Sequence, residues 1–152
     1  MNRPGLSLVL LFMTLAAVSA NGYGGELRPF TSDGCSAFPE GTPDQKQLWL
    51  HCCTAHDLAY WRGGTYAQRL EADKELRQCV AAVGEEAIAS LMLAGVRVGG
   101  SPFWPTRFRW GYGWRYPRFY SPLTEEELAQ VHALENSAGQ NPAISNPESR
   151  VR

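Results

Sequence analysis

The strongest constraint on this 152-residue chain is its set of four cysteines, two of which, Cys52 and Cys53, are adjacent. Neighbouring residues on a helix point about 100° apart, so the doublet cannot readily bond to itself and reaches in two directions. Cys35 upstream and Cys79 downstream are the remaining partners. Two such bonds would staple one helix to its neighbours on two sides, each bond worth roughly 2–4 kcal/mol.

Paired cysteines imply an oxidising compartment, and the N-terminus points the same way. Arg3 precedes a short apolar run, Leu6 to Val18, followed by small residues ending at Ala20. This is the layout of a signal peptide over residues 1–20, cleaved after Ala20, which makes the protein secreted or periplasmic. The run is too short to cross ~30 Å of hydrocarbon as a helical anchor. With 44% hydrophobic and 19% charged residues the chain reads as globular. Its length predicts a single domain, residues 21–136, with a modest core. A net charge of −1 offers no bulk electrostatic case for a nucleic-acid partner.

Residues 21–41 are rich in Gly, Pro and Ser and read as an irregular loop. Thr42-Pro43-Asp44-Gln45 combines an N-cap, a first-turn proline and a capping glutamine, which predicts a helix from there to about Trp61. Arg62-Gly63-Gly64 breaks it. Thr65 and Gln68 repeat the capping pattern, predicting a second helix from Tyr66 to Val83, stopped by Gly84. A third, apolar helix is expected from Glu85 to Ala94, ending at Gly95. Phe108 to Tyr116 alternates as FRWGYGWRY, which predicts an extended strand or hairpin with its aromatics on one face. Thr124 and Glu127 form another capping box, with Leu123 and Leu128 as a hydrophobic staple, for a helix ending near Asn136. Residues 137–152, with two Asn-Pro steps, read as a disordered tail. The fold class is therefore mainly α.

One turn beyond the cysteine doublet stand His56, whose imidazole is the side chain most often used as a general base, and Asp57, a hard oxygen ligand on a different face. Tyr60 shares the face of His56. On the next helix Leu70, Asp73, Leu76 and Val80 are spaced at three and four, so the Asp73 carboxylate falls within an apolar stripe and needs a partner. If the short Gly-Gly connection packs the two helices antiparallel, His56 and Tyr60 are the natural partners. A histidine oriented by a buried aspartate is the arrangement of a general base. Structural zinc is disfavoured, because its Cys-x-x-Cys spacing is absent and exported cysteines are oxidised. Calcium fits better: Asp33 and Asp57 are oxygen donors, and the loop from Asp33 to Gly41 can turn carbonyls inward. An ordinary surface turn is the alternative for that loop.

The assembled pattern resembles secreted phospholipase A2. Cys52-Cys53-Thr54-Ala55-His56-Asp57-Leu58-Ala59-Tyr60 is similar to that family's active-site helix, Glu71 to Cys79 to its partner helix, and Asp33-Gly34-Cys35-Ser36 to the start of the calcium loop in the short bacterial and fungal branch. The resemblance covers about residues 33–80 and includes all four cysteines. It implies two antiparallel disulfide-linked helices, with Cys35 bonded to Cys53 and Cys52 to Cys79. It also implies calcium-dependent hydrolysis of the sn-2 ester of a glycerophospholipid at a membrane surface. In that reading His56 activates water, Asp73 orients it, Tyr60 donates to Asp73, and Ca2+ is held by Asp57, the Gly34 carbonyl and the Asp33 side chain. Three departures stand out: SAFPEG replaces a glycine-rich calcium loop, Ala59 stands where a cysteine is usual, and nothing after Val83 matches.

Residues 102–120, PFWPTRFRWGYGWRYPRFY, are open to three readings. The aromatics can cap the sides of the helices. With Arg107, Arg109, Arg115 and Arg118 they can form a patch for anionic lipid headgroups. Stacking on single-stranded nucleic acid is the third, and export disfavours it. The rival to an enzyme is a non-catalytic secreted lipid- or protein-binding module that keeps the stapled helices as a scaffold.

Overall fold

A computed structural model describes residues 25–139. The proposed signal segment and residues 140–152 lie outside the described part. Four helices follow in order: α1 Leu50–Arg62, α2 Tyr66–Ala82, α3 Glu86–Gly99 and α4 Glu125–Gly139. There is no strand among the described residues, and no helix there is long and apolar enough to cross a membrane.

The two bridges are Cys35–Cys53 and Cys52–Cys79, with Cα separations of 5.0 and 5.7 Å. Partners rise along α1 as they fall along α2, from Cys52–Cys79 through His56–Asp73 to Tyr60–Arg69, so the two helices run antiparallel. Helix α2 packs against both α1 and α3. It starts on the expected capping box: Thr65 accepts from the Gln68 amide, and Gln68 accepts from the Thr65 amide.

Helix α1 begins at Leu50 rather than at Thr42. Thr42 Oγ1 does accept from the Gln45 amide at 3.0 Å, but Thr42 N also donates to the Gln45 carbonyl, closing a turn. Trp49 then ties the segment back on itself, its amide to Glu40 O at 3.0 Å and its indole to Pro39 O at 2.7 Å. Burying this indole, which is 3% exposed, outweighs the local capping signal. Helix α3 passes through Gly95, where a side chain would meet open space, and extends to Gly99. Helix α4 continues past Asn136 to Gly139, so residues 137–139 of the expected tail are helical.

The expected aromatic strand is a succession of turns instead. The helix supplies the reason. The last carbonyls of α1 have no partners within the helix, and the aromatic segment provides them. Gly111 N donates to Tyr60 O at 2.7 Å and Gly113 N to Trp61 O at 3.2 Å. The indoles of Trp114 and Trp110 donate to Arg62 O and Gly64 O at 2.7 and 2.9 Å. So close an approach needs glycine: Gly63 has φ +71°, and a Cβ there would lie 2.9 Å from Gly111 Cα. Trp110, Tyr112 and Trp114 consequently join Tyr60, Trp61 and Leu27 in one core cluster, while Phe108 and Tyr116 stay exposed. A second cluster surrounds the disulfides, with Trp49, Leu76, Val80, Ala89 and Met92.

Helix α4 joins the aromatic cluster through Val131. Its capping box forms, Thr124 N to Glu127 Oε2 at 2.9 Å and Glu127 N to Thr124 Oγ1 at 3.2 Å. The expected staple does not: Leu123 packs on the core, but Leu128 is exposed. The buried residue of that turn is Glu127, drawn in by Arg118.

Candidate active site

Asp73 is fully buried on α2, and one of its oxygens serves two residues of α1. Tyr60 Oη donates to Oδ1 at 2.6 Å, and His56 Nε2 lies 3.0 Å from the same atom. The imidazole also lies against the Tyr60 ring, centroids 4.1 Å apart. With Nε2–H directed to the carboxylate, Nδ1 carries the lone pair, and it has no hydrogen-bond partner among the described residues. Burial first, and the Asp73 charge next, push the Tyr60 hydroxyl well above the usual phenol range. Tyr60 is therefore a fixed donor and not a titrating group.

The second carboxylate oxygen faces cations. Arg97 Nε is 2.7 Å from Asp73 Oδ2, but its N–H is turned away from hydrogen-bond alignment, so the contact is ionic and Oδ2 accepts no bond among the described residues. Arg69 Nε lies farther off, at 4.0 Å. Arg69 instead donates to Tyr60 Oη at 3.1 Å, to Tyr120 Oη at 2.6 Å and to two carbonyls at the end of α3. These cations explain how a charge is tolerated at zero exposure. Neither was foreseen from the sequence. Arg69 was legible in principle, since it stands one turn before Asp73 on the same face. Arg97 was not, because it belongs to the part of α3 beyond Gly95. Gly100 is a further unforeseen contributor: a Cβ there would collide with the Tyr60 ring.

Asp57 points away from this array. Ser32 Oγ donates to Asp57 Oδ2 at 2.6 Å, and Gly34 N donates to the same Ser32 hydroxyl at 3.1 Å. Asp33 Oδ1 accepts from Ser36 Oγ at 2.9 Å. Asp33 and Asp57 both line a cavity of about 240 Å³ with Ser32, Arg107 and Tyr112. Burial, and then the Asp33 charge, raise the Asp57 carboxyl to about 7, against the opposing pull of the Ser32 hydrogen bond. The Tyr112 hydroxyl is pushed up by burial and by the same two carboxylates. Two hard oxygen donors converging on a cavity, with hydroxyls beside them, suit a calcium ion in donor chemistry. Gly34, with φ +73° and its α-carbon facing Glu40 and Leu50, is not among the residues lining this cavity, and neither is His56.

A third grouping, His51 with Cys52 and Cys79, brings possible metal-ligating atoms within 4.8 Å of one another. Both sulfurs belong to one disulfide and have no thiolate to offer a metal. A scan against protein-family models, a search of curated proteins and a search of solved structures each find no match to this chain.

Proposed function

We propose that this protein is a calcium-dependent lipid esterase of phospholipase A2 type that acts after export on the sn-2 ester of glycerophospholipids at a membrane surface. The observation that carries the reading is the hydrogen bond from His56 Nε2 to a fully buried Asp73, made one residue away from a second, separate carboxylate site. His56 takes a proton from water at Nδ1 as the oxygen attacks the ester carbon, and returns it to the departing alkoxide as the tetrahedral intermediate collapses. Asp73 holds the tautomer that leaves Nδ1 free and stabilises the imidazolium formed in between. Tyr60 keeps the carboxylate in place. Asp57 and Asp33 are the side chains that would hold calcium, whose chemistry when bound is Lewis-acid stabilisation of the developing oxyanion. The two disulfides support an oxidising compartment, in keeping with the exported destination read from residues 1–20.

One observation favours the rival, a non-catalytic lipid- or protein-binding module. Phe103 and Phe119 are exposed and lie 5.2 Å apart, forming an aromatic surface with Tyr116. Fatty-acid release from phospholipid vesicles by the oxidised protein, with calcium and with a chelator, separates the two. Release that needs calcium and disappears in His56→Gln supports the esterase. Vesicle binding without release, from folded protein, supports the module.

A further inference from the structure

The aromatic segment also builds a recess of about 890 Å³ against residues 26–31. Arg28, Arg107, Arg109 and Arg115 line it, against a single carboxylate, Glu26. None of the four arginines forms an ion pair among the described residues. Arg109 is the most telling, being only 3% exposed. Its Nη2 donates to Trp114 O at 2.7 Å and its guanidinium lies 5.5 Å from the Tyr116 ring centroid, while its buried Nε has no partner. Burial and the nearby Arg28 charge depress its basicity.

A guanidinium taken out of water without a counter-ion is costly, and a second cation beside it adds to the cost. Elsewhere in this molecule buried arginines have a carboxylate beside them: Arg118 has Glu127, although its Nε is likewise unpartnered, and Arg69 has Asp73 at 4.0 Å in addition to tyrosine hydroxyls and carbonyls. In this recess a bound anion would supply the missing charge. Several guanidiniums around one concavity match the oxygens of a phosphoryl group, which they can grip in pairs. Thr31, Arg107 and Tyr112 line both this recess and the cavity of Asp33 and Asp57, so an anion here would sit next to the carboxylate pair.

We propose that this arginine recess is a binding site for a phosphoryl anion, either free or as the headgroup of a lipid. As a headgroup site it rests on the esterase reading; as an anion site it stands without it.

The test is calorimetric titration of the oxidised protein with inorganic phosphate and with glycerol 3-phosphate. It is paired with co-sedimentation on phosphatidylcholine vesicles with and without phosphatidylglycerol. A chelator is present throughout, so calcium cannot bridge. Arg107 and Arg115 are exposed, so the double variant Arg107→Gln/Arg115→Gln should fold. It is expected to weaken binding on the order of tenfold, and Glu26→Gln to tighten it a few-fold by removing the opposing charge. Saturable phosphate binding with this dependence supports the site with a free anion as ligand. Binding only to phosphatidylglycerol vesicles, with the same dependence, supports it with a lipid source. No binding of either kind, or binding indifferent to both variants, overturns it. These readouts involve no hydrolysis. Binding by a protein that releases no fatty acid would therefore sink the esterase and leave the recess standing, and release without such binding would do the reverse.

Discussion

Arg97 sets its Nε 2.7 Å from Oδ2 of Asp73, closing from α3 the charge balance of a carboxylate that has no exposure of its own. The pair joins the third helix to the His56 array, although Arg97 itself is 38% exposed at the side chain. Replacing it by glutamine leaves Asp73 with Arg69 at 4.0 Å as its nearest cation. Removing one member of a fully buried pair costs about 3–5 kcal/mol. Solvent screening of the exposed arginine and the remaining Arg69 reduce this, so Arg97→Gln should lower stability by about 1–3 kcal/mol. Denaturant unfolding measures it, and a midpoint equal to that of the parent protein would show that Asp73 does not depend on α3.

How far this arrangement was legible depended on whether its determinants were local. Helix α2 was readable to within a residue because Thr65, Gln68 and Gly84 act on their own neighbours. His56, Tyr60 and Asp73 could be assigned to one cluster because helical spacing and a short Gly-Gly link decide who faces whom. Thr42 misled, since the burial of Trp49 is a long-range event that overrode a genuine capping signal. The alternation from Phe108 to Tyr116 misled for a related reason. It put five aromatics on one face, whereas only Trp110, Tyr112 and Trp114 are buried and Phe108 and Tyr116 are exposed. The end carbonyls of α1 take the Gly111 and Gly113 amides and the Trp114 indole, and no local pattern reveals a partner as distant as the 52 residues between Arg62 and Trp114. The pairing of α3 with Asp73 was invisible for as long as Gly95 was read as a stop.

If His56 is the base, Asp73 and Tyr60 should separate in their kinetic effects. Asp73→Asn removes the charge that stabilises the imidazolium and lets the wrong tautomer form. The turnover rate should fall by roughly 10²–10⁴-fold with little change in KM. Tyr60→Phe keeps the carboxylate and loses one donor, so a fall of about tenfold is expected. Initial rates on dispersed short-chain substrate, beside near-ultraviolet circular dichroism to verify packing, give the comparison. Equal losses in the two variants would reduce Asp73 to a structural role.

Asp57 predicts a pH dependence whose sign follows from its raised pKa of about 7 against an ordinary 3.8. A group held above its unfolded value stabilises the fold when protonated. That contribution is complete below about pH 4 and is lost as the pH rises through about 7. Metal-free protein should therefore lose this part of its stability across that window. Calcium must displace the proton, so the rise in melting temperature on adding calcium should grow over the same interval, and Asp57→Asn should flatten both trends. Melting curves with calcium and with chelator at several pH values test it. A calcium-induced shift of equal size at both ends of the window would remove Asp57 from the metal site.

The pair most exposed to a stability test is Arg118 with Glu127, both 4% exposed and joined by two parallel bonds of 2.8 and 3.1 Å. Arg118 also lies over the Trp114 ring at 5.4 Å, so the pair links the aromatic turns to the start of α4. Glu127→Gln keeps one oxygen for the Thr124 amide but removes the charge and turns the other acceptor into an NH2 donor facing Arg118, leaving the guanidinium buried and unanswered. A loss of about 3–5 kcal/mol is expected. The double variant Arg118→Met/Glu127→Leu removes both charges and should lose less than either single change, because no uncompensated ion remains. Chemical denaturation of the parent, Arg118→Met, Glu127→Leu and the double variant closes a double-mutant cycle and measures the difference. Losses that simply add would mean that the two side chains are not coupled, and that α4 is held to the aromatic turns by Val131 and its apolar neighbours alone.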